Sequence, residues 1–213
     1  MANAFTRNLT FQSNDLGKDA TLALTFDVDT NGMYDEFFPV VWKVFPFWKN
    51  GSYRSQATYT NQLAFFKPQV AWDNSIIDAL ACVELNVGEK TSLTEANDVY
   101  SFSRPVAGIK DVLQAVNNTE DVQDIAVGFM TRGDLKPKPS LYYPEVGDGS
   151  PIMAQFNTVL RAYITSNYQE NAILREPIAT FELWSHDLAA LPENTTWNLK
   201  YDSSSGRYTI VQA

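Results

Sequence analysis

The sequence predicts an all-β protein, an antiparallel β-sandwich or barrel-like single domain with one or two short helices. Many short apolar or alternating segments are separated by turn residues, which is typical of sandwiches and barrels. Only two segments are candidates for helices, 109–116 and 182–191, and the second ends before Pro192. Since no linker rich in Pro, Ser or Gly divides the 213 residues, we expect one domain over 1–213.

The chain opens with two similar segments, 9–17 and 24–32. We interpret them as two amphipathic strands with a turn at 15–19 between them. The similarity either reflects a short internal repeat or arises by chance, because two neighbouring amphipathic strands share the same alternating pattern. No longer period follows, so a solenoid or a propeller is not indicated.

The next two strands are predicted from their patterns of apolar residues. Segment 36–48 is apolar on both alternation faces, so we expect a strand covered on both sides, with Pro39 and Pro46 at an edge, a bulge or strand ends. Asn50-Gly51 is a strong hairpin-turn signal. Segment 53–65 then alternates between apolar and polar residues, as a half-buried antiparallel strand does.

Later strands are shorter and more variable in pattern. Segment 76–87 is another apolar run, which ends at Gly88, and segment 125–130 is interpreted as a short buried strand. Segment 155–164 could be a strand or a helix, because it fits neither period decisively. Alternation at 197–201 and a return at 208–211 predict a C-terminal hairpin.

The charge balance limits the classes of partner. Sixteen basic and 25 acidic residues give a formal net charge of −9, which argues against electrostatic binding of nucleic acid or of an anionic membrane. A membrane helix needs about 20 consecutive apolar residues, and the sequence has no such run. The start lacks a secretory apolar stretch and Cys82 has no second cysteine to pair with, so we expect a cytoplasmic protein.

Catalytic signals are few. Cys82 lies in the apolar segment 79–83 and is predicted to be a buried, inert thiol, which leaves His186 as the one imidazole base. The sequence contains no nucleophile elbow, zinc-protease motif, P-loop or dinucleotide fingerprint. A binding protein without catalysis is therefore favoured. An enzyme acting on a small aromatic metabolite remains an alternative, because paired carboxylates are arranged in space and not in sequence.

One acidic turn resembles the start of a calcium loop. Asp27, Asp29, Asn31 and Asp35 place oxygen atoms at alternate positions around Gly32, which suits a hard cation. The twelfth position is Phe38 instead of the closing glutamate, and the flanks are predicted strands. The turn therefore predicts either a calcium site or a solvated turn in which Asp and Asn serve the backbone.

Aromatic residues are the most informative feature. Nine lie between residues 42 and 72, and such rings either fill a sandwich core or stack on a flat ligand. His186, beside Trp184 and Asp187, is either a ligand contact or a surface residue. The candidate ligand-binding residues are Trp42, Trp48, Tyr59, Asn61, Phe66, Trp72, Trp184 and His186.

Three segments, 5–11, 38–44 and 57–65, together resemble a family of small cytosolic proteins from mushroom fruit bodies, the pink chromoproteins of oyster-type mushrooms. The resemblance implies an all-β fungal pigment protein that carries a small conjugated, indole-type chromophore in a deep pocket. It implies no residue-by-residue assignment of that pocket. Whether the chromophore is covalent, and whether the chain forms a homo-oligomer, are left open.

Two alternatives accompany the pigment hypothesis. A sugar-binding fruit-body lectin or defence protein would use exposed aromatics beside Asn and Asp, as at 48–51 or 72–74. Lectins usually repeat their sites, and only the short match between 9–17 and 24–32 is visible. An enzyme on an aromatic metabolite ranks last, because no nucleophile and base can be paired from the sequence.

Overall fold

The computed structural model describes residues 5–27, 30–131 and 133–213, and it confirms the all-β prediction. Its one helical element in this part of the chain is a 3₁₀ turn, Leu188–Ala190, capped by the Asp187 carboxylate. The described residues contain no helix long and apolar enough to cross a membrane.

Eighteen strands are formed by the described residues. In chain order they are β1 (Thr6–Asn14), β2 (Ala20–Thr25), β3 (Phe38–Pro39), β4 (Val41–Phe47), β5 (Ser52–Thr60), β6 (Leu63–Val70), β7 (Ile76–Leu85), β8 (Glu89–Ala96), β9 (Val99–Phe102), β10 (Val106–Ala107), β11 (Leu113–Asn117), β12 (Gln123–Phe129), β13 (Lys138–Val146), β14 (Pro151–Ala154), β15 (Val159–Ile164), β16 (Glu182–Asp187), β17 (Asn194–Asp202) and β18 (Arg207–Gln212).

The strands form four sheets. Their orders are β18-β17-β1-β5, β16-β15-β2-β4, β3-β13-β12-β6-β7 and β10-β8-β11-β14, with β9 also paired to β8. Neighbours are antiparallel except for β1 with β17 and β11 with β8. Short turns join antiparallel pairs such as β6 with β7 and β17 with β18, whereas other pairs, such as β1 with β5, join strands that are not consecutive in the chain.

The sheets pack their apolar faces against one another. Phe11 of β1 meets Trp184 of β16 edge to face, with ring centroids 5.5 Å apart, so the first two sheets form the layers of a sandwich. The main buried cluster takes residues from all four sheets, for example Leu9, Leu24, Phe65 and Leu113. Strands such as β11 contribute alternate residues to the core, as the period of two requires, whereas β2 and β6 also bury consecutive residues.

The predicted turn at Asn50-Gly51 is confirmed, but the predicted hairpin is wrong. Gly51 has the left-handed φ of 92° that such a turn needs. However, β4 pairs with β2 and β5 pairs with β1, so the chain passes from one layer to the other at this turn. The expected strand 53–65 is likewise two strands in different sheets, β5 and β6.

Three other local predictions are corrected. Segment 109–116 is not a helix, because Leu113, Ala115 and Asn117 are buried at alternate positions as strand β11. Segment 182–191 is strand β16 followed by the 3₁₀ turn. Cys82 is exposed instead of buried, because β7 is an edge strand that pairs only with β6. The C-terminal hairpin, β17 with β18, is confirmed.

Candidate functional site

One end of the sandwich gathers five aromatic rings. Strands β1 and β4 begin at this end, and strands β2, β5 and β12 finish there. The first residue of β1 pairs with the last of β5 (Thr6–Thr60), and the first of β4 pairs with the last of β2 (Val41–Thr25). Residues at these strand ends therefore point into a common interior. We call the group the aromatic cage, and it consists of Phe26, Trp42, Tyr59, Phe129 and Phe156.

The rings of the cage contact one another mainly edge to face or at a tilt. Phe26 lies 5.4 Å from Trp42, 5.7 Å from Tyr59 and 5.2 Å from Phe156, centroid to centroid. Phe129 lies 5.0 Å from Tyr59 and 5.4 Å from Trp42, and both contacts are edge to face. Aromatic pairs prefer these geometries because the positive edge of one ring meets the negative face of the next.

Two polar atoms of the cage have no partner. Trp42 Nε1 and the Tyr59 hydroxyl are buried, and neither makes a hydrogen bond within the described part of the chain. A buried donor without an acceptor costs about 1–3 kcal/mol. Burial, helped by the negative charge of Asp187, raises the pKa of Tyr59, so its hydroxyl remains a donor at neutral pH.

Phe156 differs from the other four rings. They are buried, whereas Phe156 is partly exposed and belongs to the irregular segment 155–158 between β14 and β15. Its ring is nearly parallel to that of Tyr59, with an interplanar angle of 11° and a centroid distance of 6.4 Å. A flat molecule between two parallel rings needs a separation of about 7 Å, twice the van der Waals contact distance. The two rings are closer than this, so a planar ligand could lie between them only if segment 155–158 moved.

A surface depression of about 400 Å³ lies beside the cage. Phe5, Thr60, Gln62 and Met130 are among its lining residues, and the Phe5 ring is 5.9 Å from that of Tyr59. The Phe5 backbone N–H donates to Asn61 Oδ1 over 2.7 Å, so Asn61 fixes this wall of the depression. The Phe5 ring thus lies in the lining of the depression and in contact with Tyr59 of the cage.

The predicted ligand residues do not all come together. Trp42 and Tyr59 lie in the cage and Asn61 lies at its rim. Phe66 is buried on the opposite face of its sheet, against Val40 and Tyr142. Trp48 and Trp72 are 51% and 98% exposed and lie in turns outside the cage.

Trp184 and His186 form a separate cluster with Trp197. The imidazole of His186 lies 4.9 Å from the Trp184 ring and 4.7 Å from the Trp197 ring, and the two indoles meet edge to face. Trp197 Nε1 donates to Thr195 Oγ1 over 3.1 Å. In this position His186 packs between the two indoles on the surface of β16, and a ligand contact there remains a prediction.

The proposed calcium turn is only partly assembled. Asp27 is buried, and its Oδ2 accepts a 2.8 Å hydrogen bond from the Tyr163 hydroxyl. Burial raises the pKa of Asp27, while Tyr163 and the nearby Arg161 guanidinium act in the opposite direction. Asn31 and Asp35 are exposed, and Asp29 lies outside the described residues. Within 5–27, 30–131 and 133–213 no three metal-ligating side chains cluster, and calcium binding remains a prediction.

Three members of the cage were not candidates in the sequence. Phe129 lies in the predicted buried strand at 125–130, and Phe26 lies in the predicted amphipathic strand at 24–32, so their burial was foreseeable. Phe156 has no signal in its segment. Their meeting depends on the pairing of β12 with β6 and of β2 with β15, which no local pattern specifies.

Comparison of the chain with protein-family models, with curated proteins and with solved structures found no match. The function is therefore argued from the geometry of the cage, and the resemblance to mushroom chromoproteins stays a prediction.

Proposed function

We propose that this protein binds a small planar conjugated molecule in the aromatic cage, without catalysis, and that it is a pigment carrier with an indole-type chromophore. The observation that carries the proposal is the pair of buried, unpartnered donors, Trp42 Nε1 and the Tyr59 hydroxyl, among five aromatic rings. A core that served packing alone would be more stable with Phe in place of Tyr59, since Phe has nearly the same shape and no buried hydroxyl.

The side chains of the cage indicate which kind of ligand would fit it. Aromatic walls favour a flat conjugated ring system. The two free donors favour acceptor atoms on that ring system, such as the carbonyl oxygens of an oxidised indole. No charged side chain belongs to the cage, so a neutral ligand is expected.

Binding without turnover follows from the groups that line the cage. The phenol of Tyr59 is its only titratable group, and burial raises the pKa of that phenol. A phenol that stays protonated donates a hydrogen bond but does not act as a base near neutral pH. The proposed role of Tyr59 is thus to hold the ligand.

The proposal is tested with two probes that differ only in acceptors. Isatin is a planar indole with two carbonyl oxygens, and indole has none. We expect isothermal titration to show saturable isatin binding that is tighter than indole binding. Each donor is expected to contribute about 0.5–1.5 kcal/mol, or about 2- to 13-fold in Kd.

Substitutions in the cage test whether isatin binds there. Tyr59→Phe and Trp42→Phe keep a ring in place but remove one donor each, so both should reduce the preference for isatin over indole. Trp72→Phe is the matched control, because Trp72 is 98% exposed outside the cage. Absence of saturable isatin binding, or an isatin preference unchanged in both cage variants, would refute the proposal.

A further inference from the structure

The opposite end of the sandwich carries a second feature that the cage does not use. There the β1–β2 turn (15–19) and the β4–β5 turn (48–51) are joined by hydrogen bonds. Gly17 N donates to Lys49 O over 2.7 Å, and Lys49 N donates to Asp19 Oδ1 over 2.7 Å. β1 and β5 each span nine residues between the two ends, about 30 Å at the rise of a strand.

Trp48 is exposed on this rigid turn. Half of its surface, 51%, is accessible, and its ring lies 5.0 Å from that of Tyr53 at an angle of 45°. Hydrogen bonds join the two turns, and the Tyr53 ring packs against the indole, which is half exposed to solvent. Asp19, Lys49 and Asn50 complete a depression of about 430 Å³ around it.

This depression continues along the surface as a groove. A second depression of about 510 Å³ shares Asp19 and Trp48 with the first, and a third of about 520 Å³ shares Ile164 and Tyr208 with the second. The third includes Phe181, which is 98% exposed. The three depressions therefore adjoin one another, and we call them together the groove; Trp48 lines the first and Phe181 lines the third.

The polar lining of the groove is mostly neutral. The second depression is lined by hydroxyl and amide side chains, including Thr165, Ser166, Asn167 and Thr180. The charges in the lining have both signs, with Lys18 beside Asp19 and Arg207 near Glu182. Such a lining gives no net attraction to a strongly charged ligand.

We propose that this groove binds a neutral carbohydrate chain. Sugar rings present apolar C–H faces, which pack on exposed aromatic rings, and hydroxyl groups, which both donate to and accept from amides, hydroxyls and carboxylates. Trp48 is the principal stacking platform, and Asn50 with the Asp19 carboxylate supplies hydrogen bonds beside it. Phe181, in the third depression, is the second platform.

The experiment is a screen of the full-length protein on an array of neutral oligosaccharides, followed by titration of the glycan that gives the strongest signal. We expect binding of at least one neutral oligosaccharide, with affinity reduced at least about tenfold in Trp48→Ala. Phe181→Ala should also weaken binding, and because Phe181 is 98% exposed, that loss would report on binding and not on folding. Trp72→Ala, an equally exposed aromatic outside the groove, should leave binding unchanged.

Three results would overturn the proposal. They are no binding to any neutral oligosaccharide, full binding by both Trp48→Ala and Phe181→Ala, or a loss in Trp72→Ala that equals the loss in Trp48→Ala. The groove and the cage are tested separately, because Tyr59→Phe should not change glycan binding and Trp48→Ala should not change isatin binding. Failure of one proposal therefore leaves the other intact.

Discussion

Replacing Tyr59 by Phe should make the ligand-free protein more stable. The hydroxyl is fully buried and donates to no acceptor in the described part of the chain. Its removal relieves a desolvation cost of about 1–3 kcal/mol. Because a domain of this length shifts its Tm by about 2–4 °C per kcal/mol, we expect an increase of a few degrees.

The matched substitution Tyr163→Phe should have the opposite sign. The Tyr163 hydroxyl is also buried, but it donates to Asp27 Oδ2 over 2.8 Å. Its loss leaves a buried carboxylate oxygen without a donor, which costs about 1–3 kcal/mol. The same chemical change at two buried tyrosines thus stabilises the fold in one case and destabilises it in the other.

Both variants are compared with the wild type by urea denaturation of ligand-free protein. The reasoning requires that Tyr59→Phe raise the free energy of unfolding and that Tyr163→Phe lower it. A loss of stability in Tyr59→Phe comparable to that in Tyr163→Phe would refute it, because the Tyr59 hydroxyl would then have a partner in the folded protein.

Three further predictions address the surroundings of the cage. In Gly128→Ala the new Cβ would lie 2.1 Å from Lys138 O. Urea denaturation should therefore show that the free energy of unfolding falls by about 1–3 kcal/mol or more. A fall below about 0.5 kcal/mol, the size of a typical surface change, would contradict this close packing. Burial raises the pKa of Asp27 in the folded protein, so the stability that its protonated form contributes is lost as the pH rises from the unfolded-state pKa through the raised pKa of the folded state. Asp27→Asn does not titrate and should therefore gain stability on the wild type over that interval, and a stability difference that does not change with pH would contradict this. In Phe156→Ala, isatin should quench tryptophan fluorescence faster in stopped-flow mixing because the cage is no longer closed, and an unchanged association rate would show that Phe156 is not the barrier.

Local patterns in the sequence predicted where strands lie better than they predicted which strands pair with each other. Alternation identified β5 and the C-terminal hairpin, because burial of one sheet face requires a period of two. Asn50-Gly51 marked a reversal of the chain, but a turn does not determine whether its two strands pair with each other or with strands of separate layers. The segment at 109–116 was a candidate for a helix, and the pairing of β11 with β8 and β14 decides for a strand.

The candidate site was predictable only in part, for a related reason. Trp42 and Tyr59 were singled out because they lie in a segment rich in aromatics. Phe26, Phe129 and Phe156 join them through pairings between strands far apart in the chain, and burial of an individual ring cannot be distinguished from a ligand contact in the sequence. The part of the groove at Trp48 was visible as an aromatic beside Asn50, but its continuation to Phe181 depends on the tertiary fold.

The most direct test of the pigment proposal is native mass spectrometry, together with an absorption spectrum, of the protein purified from its natural source. The proposal predicts a mass greater than that of the 23.9 kDa chain and an absorption band at wavelengths longer than the tryptophan band. Extra mass that is lost on denaturation would identify a non-covalent ligand, and extra mass that survives would identify a covalent one. A protein with the mass of the bare chain and no such band would contradict the proposal.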